Sequence, residues 1–122
     1  MHTIYVIKEK GTSYYKVGFS NDAIQRLDTL QIANPRKLYI YKIFFNKDVS
    51  DEKALHQELK EYNVSGEWFE FENIEPAIKK MEEFLNAKAH TFEEYIKFDR
   101  DVNYRKEYFR KKTRAGYLLQ TY

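Results

Sequence analysis

The run Leu38–Phe45, LYIYKIFF, restricts the fold more than any other stretch of the chain. It is the most hydrophobic segment, yet far short of the ~20 apolar residues that a membrane-spanning helix needs. Its β-branched and aromatic composition predicts a central strand. A strand needs partners, and two are at hand. Residues 3–9, TIYVIKE, alternate and are rich in strand formers. Residues 14–19, after a turn containing Gly11, read as the returning arm of a hairpin.

Between and after these runs the pattern turns helical. Asn21 and Asp22 are helix-starting residues, Ile24, Leu27 and Leu30 follow at helical spacing, and Asn34-Pro35 must end the segment. Ser50 reads as the cap of a helix over residues 51–62, with Asp51 and Glu52 at the positive end of its dipole. Gly66 precedes EWFEF, residues 67–71, an alternating short strand. Asn73 opens a helix to about Lys88 that tolerates Pro76 in its first turn. Thr91 with Glu94 fits a capping box for a last helix from Phe92. The predicted order is β-β-α-β-α-β-α-α, an α+β fold with a small antiparallel sheet flanked by helices. The expected organisation is a core over residues 1–72 and a helical extension over 73–122, with the most natural break near 89–91.

Charge divides the chain unevenly. Residues 97–122 hold eight Lys and Arg against three Asp and Glu, a surplus of +5, which leaves −3 on residues 1–96 of a chain whose total is +2. Arg105, Lys106, Arg110, Lys111, Lys112 and Arg114 are therefore candidate nucleic-acid contacts. The plainer reading is the solvated face of an amphipathic helix. Phe92, Tyr95, Ile96, Phe98, Val102, Tyr108 and Phe109 give this region apolar surface to pack on the domain or on a second copy, which would make a homodimer through the C-terminal helices. With no cysteine, a disulfide scaffold and a thiolate metal site are excluded. The opening MHTIYVIKEK has too short an apolar run for a signal peptide, and the chain reads as soluble and intracellular, with no membrane partner.

Six residues could carry chemistry. Tyr5 and Lys16 lie on the two hairpin strands, where alternation sets Lys16 rather than Tyr15 on the face of Tyr5. Arg26 falls one turn into the first helix. Glu52 and His56 are an i, i+4 pair on one helix face. Glu67 follows Gly66. A carboxylate can hold a hard divalent ion, an arginine can grip a phosphate, and a phenol or amine can take a proton from water. Each residue also has a structural reading: a half-buried aromatic, a snorkelling lysine, surface ion pairs, a packed histidine.

The spacings add to this. Thr3-Ile4-Tyr5 and Lys16-Val17-Gly18 resemble the two signature strands of the GIY-YIG nuclease superfamily, with Tyr5 and Lys16 11 residues apart. Arg26 stands 8 residues after Gly18, where the superfamily carries a helix-borne arginine. Glu52-x-x-Leu55-His56 looks like its metal-binding glutamate motif. Arg26-Leu27, Asn34-Pro35 and Gly66-Glu67-Trp68-Phe69 are similar to a phage and large-virus branch in which the second signature reads K-[IV]-G. The likeness covers residues 3–71. It departs from the wider pattern at Thr3 for glycine, Lys16 for the second tyrosine and Glu67 for a late asparagine.

The resemblance implies a DNA endonuclease that hydrolyses phosphodiesters with Mg²⁺ (or Mn²⁺). Glu52 would hold the metal, Arg26 would stabilise the charge on phosphorus, and Tyr5 would activate or position water. Lys16 would serve as base, as tuner of the Tyr5 phenol or as phosphate clamp. His56 would orient a water or a phosphate. Gly18, Glu67 and Trp68 would be structural or supporting. The rival readings are a non-catalytic nucleic-acid-binding domain derived from the same fold, and a dimerising interaction module.

Overall fold

The computed structural model describes residues 1–100, so the basic residues from Arg105 to Arg114 lie outside the described part. The elements are β1 (Thr3–Glu9), β2 (Tyr14–Ser20), α1 (Ala23–Ile32), β3 (Leu38–Phe45), α2 (Val49–Glu58), β4 (Asn63–Ser65), β5 (Trp68–Glu70), α3 (Ile74–Leu85) and α4 (Phe92–Arg100). A 3-10 turn at Lys60–Tyr62 joins α2 to β4. The five strands form one antiparallel sheet in the order β3-β1-β2-β5-β4. The class is α+β, with a C-terminal helix.

Helices cover both faces of the sheet. On one face Ile4, Val6, Val17, Phe44 and Phe69 meet Leu55 and Leu59 at the end of α2 and Ile78, Met81 and Leu85 of α3. On the other, Tyr5, Ile7, Ile40, Ile43 and Phe45 meet Ala23 of α1 and Tyr95 and Phe98 of α4. The strand period accounts for this division, because successive residues of β1 feed opposite cores. On β3 the period is interrupted. The register shifts between Val6↔Lys42 and Ile7↔Ile40, which leaves Tyr41 as an extra residue. This bulge keeps Leu38, Ile40, Ile43 and Phe45 in one core.

β3 is an edge strand, where its hydrophobic run predicted a central one. It is apolar because both faces are covered. Its outer backbone edge is bridged at one residue: Ile43 N–H donates to the His90 carbonyl at 2.9 Å, and His90 N–H returns the bond at 2.8 Å. A short piece of chain before α4 thus does at that residue what another strand would do.

Several element limits differ from expectation; α2 ends at Glu58, short of the expected residue 62, where the 3-10 turn takes over. α2 begins two residues early because Asp48, not Ser50, caps it: Asp48 Oδ1 accepts from Asp51 N–H at 3.0 Å and Asp51 Oδ2 accepts from Asp48 N–H at 2.9 Å. α3 stops at Leu85 because Asn86 takes the left-handed conformation, φ 51°. β4 has no hydrophobic pattern to announce it. It forms because Gly66, at φ 58°, turns the chain back into β5, while Asn63 Nδ2 donates to the Gly66 and Trp68 carbonyls at 2.8 and 3.1 Å. The Thr91–Glu94 box forms as its sequence predicts, with bonds of 3.1 and 2.8 Å. Among the described residues no helix is long and apolar enough to cross a membrane.

Met81 of α3 is fully buried among residues from β1, β2 and β5. Met81→Ala should therefore cost about 2–5 kcal/mol, the usual range for emptying a core methionine site. Urea unfolding followed through the single tryptophan, Trp68, measures it; a loss under ~0.5 kcal/mol would show that α3 is not part of this core.

Candidate active site

Val17 organises the site through its backbone. Its N–H donates to the Glu67 carbonyl at 3.0 Å, one step past the last Cα pair of β2 with β5, Lys16↔Trp68. Its own carbonyl accepts from His56 Nε2 at 2.7 Å. Because a carbonyl can only accept, His56 carries its proton on Nε2. The ladder therefore ends at a histidine side chain, and α2 is docked against the edge of β2 at this point. His56 also sets its ring edge on Phe69, centroids 5.1 Å apart. One turn earlier on the same helix face comes Glu52, whose Oε2 lies 3.9 Å from His56 Nε2.

Beyond Val17 stands Gly18, directly opposite Tyr5 on β1. The tyrosine ring lies across this glycine: a Cβ there would sit 2.8 Å from Tyr5 Cε1 and would overlap the phenol. Gly18 is thus required by the close approach of an aromatic ring. Tyr5 is fully buried, and its hydroxyl oxygen accepts from Arg26 Nε at 3.4 Å. Asp22 places Arg26 by capping α1, accepting from Gln25 N–H at 3.0 Å.

Lys16 shares the Tyr5 face, opposite Ile7 and Trp68. Its Nζ lies 3.5 Å from Glu67 Oε1 and 5.3 Å from the centroid of the Trp68 ring. The ammonium is held between a carboxylate and an indole face. Glu67 Oε1 is itself shielded from solvent and has no hydrogen-bond partner among the described residues. An oxygen of this kind is costly unless something else completes its shell.

The electrostatics join these parts. Burial pushes the Tyr5 phenol above its ordinary range; the Arg26 hydrogen bond opposes this, and the charges of Glu67 and Glu52 add to it. The bond to Tyr5 raises Arg26 in turn. Glu52 is raised first by burial and next by Glu67, with His56 opposing. Two carboxylates, Glu52 and Glu67, are therefore set against each other beside a buried phenol, with Arg26 and Lys16 flanking them.

Among the described residues no group of three or more His, Cys, Asp or Glu is arranged to hold a metal ion. The fit of a cation rests instead on the carboxylate pair, Glu52 and Glu67. Two acidic oxygens with water and phosphate completing the shell suit Mg²⁺, which keeps much of its hydration.

All six chemistry-bearing residues of the sequence reading come to one place. His56 spends Nε2 on the Val17 carbonyl. Lys16 meets Glu67, while the charges that chiefly act on the phenol are Glu67, Arg26 and Glu52. Glu67 touches more of the site than its sequence position announced. The polar face of α2 formed by Lys53 and Gln57, continued by Lys60, also borders the site, and its i, i+4, i+7 spacing was readable in the sequence.

A family model described as the T5orf172 domain matches residues 2–98. No curated protein and no solved structure matches.

Two stability outcomes follow from this geometry. Glu52 is raised in the fold, so its ionised form costs stability at neutral pH, and the cost vanishes as pH falls below the ordinary carboxylate range. Glu52→Gln should melt higher than the wild type at pH 7, with the gain gone near pH ~4. Thermal melts at the two pH values test it; an equal gain at both, or none, contradicts a Glu52 raised by burial and by Glu67. Gly18→Ala should lose about 1–3 kcal/mol by overpacking against Tyr5. Chemical denaturation measures that loss.

Proposed function

The chain belongs to the T5orf172 domain family, and from that premise and the geometry around Val17 we propose that it is a divalent-cation-dependent endonuclease that hydrolyses DNA phosphodiesters. The family is associated with GIY-YIG- and HNH-like nucleases, which agrees with the GIY-YIG likeness of residues 3–71. The observation that carries the reading is the juxtaposition of Glu52 and Glu67 beside the Arg26–Tyr5 pair, with Lys16 as the one cation set against the Glu67 carboxylate among the described residues. Structural ion pairs usually cancel; here two acids repel each other, an arrangement that suits a cation and an anionic substrate.

Glu52 and Glu67 would hold Mg²⁺ (or Mn²⁺), which when bound neutralises charge on the scissile phosphate and the leaving oxygen. Hydrolysis adds water across one P–O bond: the attacking oxygen bonds to phosphorus, and the leaving oxygen departs and takes up a proton. Arg26 commits Nε to Tyr5 and presents the rest of its guanidinium to phosphate oxygens as charge builds on them. Tyr5 is kept as a neutral phenol by burial, so it is suited to orienting water or phosphate through its O–H. Lys16, anchored by Glu67 and Trp68, serves as a fixed positive charge on the phosphate side. His56 holds α2 to β2 and so fixes Glu52.

The lack of a three-donor metal set among the described residues favours one rival, a cleft that grips phosphate without cutting. A plasmid-nicking assay with Mg²⁺ or Mn²⁺ separates the two. Wild type should nick, and Glu52→Gln and Arg26→Ala should each lose ~10²-fold or more, the usual cost of removing one electrostatic stabiliser. Equal nicking by wild type and Glu52→Gln would mark the activity as contamination, and DNA binding with no cleavage would establish the binder.

A further inference from the structure

A second polar feature lies beside the carboxylate pair. A groove of about 320 Å³ runs between α2 and the β4–β5 hairpin, lined by Lys53, His56, Gln57, Lys60, Asn63 and Phe69 among others. His56 stands at the inner wall, and its Nε2 is 3.9 Å from Glu52. The groove and the proposed site thus have His56 in common. Phe69 is buried and Asn63 Nδ2 is committed to the Gly66 and Trp68 carbonyls, so the hairpin wall is rigid.

The charges of this region are sorted. Lys53, Gln57 and Lys60 are exposed and line the groove. The neighbouring acids Glu58 and Glu61 do not line it; both lie 4.0 Å from Lys80 of α3, on the other flank. The result is a groove with two cations and an amide along one wall and no carboxylate among its lining residues. Lys53 lies within α2, and Lys60 stands seven residues on, just past the end of that helix in the 3-10 turn.

We propose that this groove is the track for the DNA backbone, with Lys53 and Lys60 contacting phosphates and Gln57 bonding between them, so that the strand is led past His56 to the carboxylate pair. The inference rests on the nuclease reading for its ligand class. It gives the folded core its own DNA contact, separate from the basic residues beyond the described part. Contacts of this kind position a strand without reading its sequence.

The test is fluorescence anisotropy of a short fluorescein-labelled duplex with the full chain in EDTA, over a range of salt concentrations. Lys53→Gln/Lys60→Gln should flatten the dependence of log Kd on log salt by about 1.8, roughly 0.9 per phosphate contact. Lys79→Gln/Lys80→Gln removes the same two charges from α3 and should keep the wild-type slope. An unchanged slope in the groove variant, or an equal loss in the α3 variant, overturns the track while wild-type binding leaves the nuclease reading standing. Failure of the wild type itself to bind the duplex would sink both, and is distinguishable because it appears before any substitution is made. All four lysines are surface residues, and matching thermal melts confirm that the variants are folded.

Discussion

The pairing of the Val17 backbone decides where the chemistry-bearing side chains of this molecule gather. An antiparallel ladder normally continues until a strand ends, and each buried N–H and C=O finds a strand partner. Here the N–H goes to Glu67 and the carbonyl goes to a histidine side chain on α2. That exchange ends the β2–β5 pairing, docks the helix, and sets Glu52 and Glu67 on either side of the same residue. Tyr5 can then lie over Gly18, because that position carries no side chain. Remove the histidine bond and a buried carbonyl is orphaned, which costs about 1–3 kcal/mol before any effect on the site is counted.

The site is built against local stability. Glu52 is buried near another carboxylate, a solvent-shielded Glu67 oxygen has the Lys16 ion pair but no hydrogen bond among the described residues, and the Tyr5 hydroxyl, out of solvent, accepts from Arg26. The surrounding structure supplies the compensation. Both faces of the sheet are packed with aliphatic and aromatic side chains, and the outer edge of β3 is bridged at Ile43 by the His90 backbone. A well-packed frame of this type can tolerate a few kcal/mol of unfavourable placement where a substrate or cation restores the balance.

Much of the fold was legible in local pattern. The hairpin, α1, the Asn73 start of α3 and the Thr91–Glu94 box each rest on contacts within a few residues, which sequence encodes directly. What failed were features set by distant partners. LYIYKIFF predicted a central strand because double-sided burial looks the same in a central strand and in an edge strand covered by helices and by residue 90. Ser50 read as the cap of α2, and it is the Asp48–Asp51 bond pair of the folded chain that gives the role to Asp48. β4 is short and polar, and it exists through Gly66 and Asn63.

For the site, sequence by itself determined the residue types and their strand or helix parity: a tyrosine and a lysine on one face of a hairpin, an arginine one turn into α1, and a glutamate and histidine one turn apart on α2. Periods of 2 and 3.6 are local properties, so these relations survive any packing. Tertiary structure alone decided that Lys16 meets Glu67 and Trp68, that Glu67 faces Glu52, and that His56 is spent on a strand carbonyl. These pairs join residues 39 to 52 positions apart, or 15 in the case of the two glutamates. Their distances follow from how α2 and the β4–β5 hairpin close on the edge of β2, where long-range burial and hydrogen bonding outweigh any local preference.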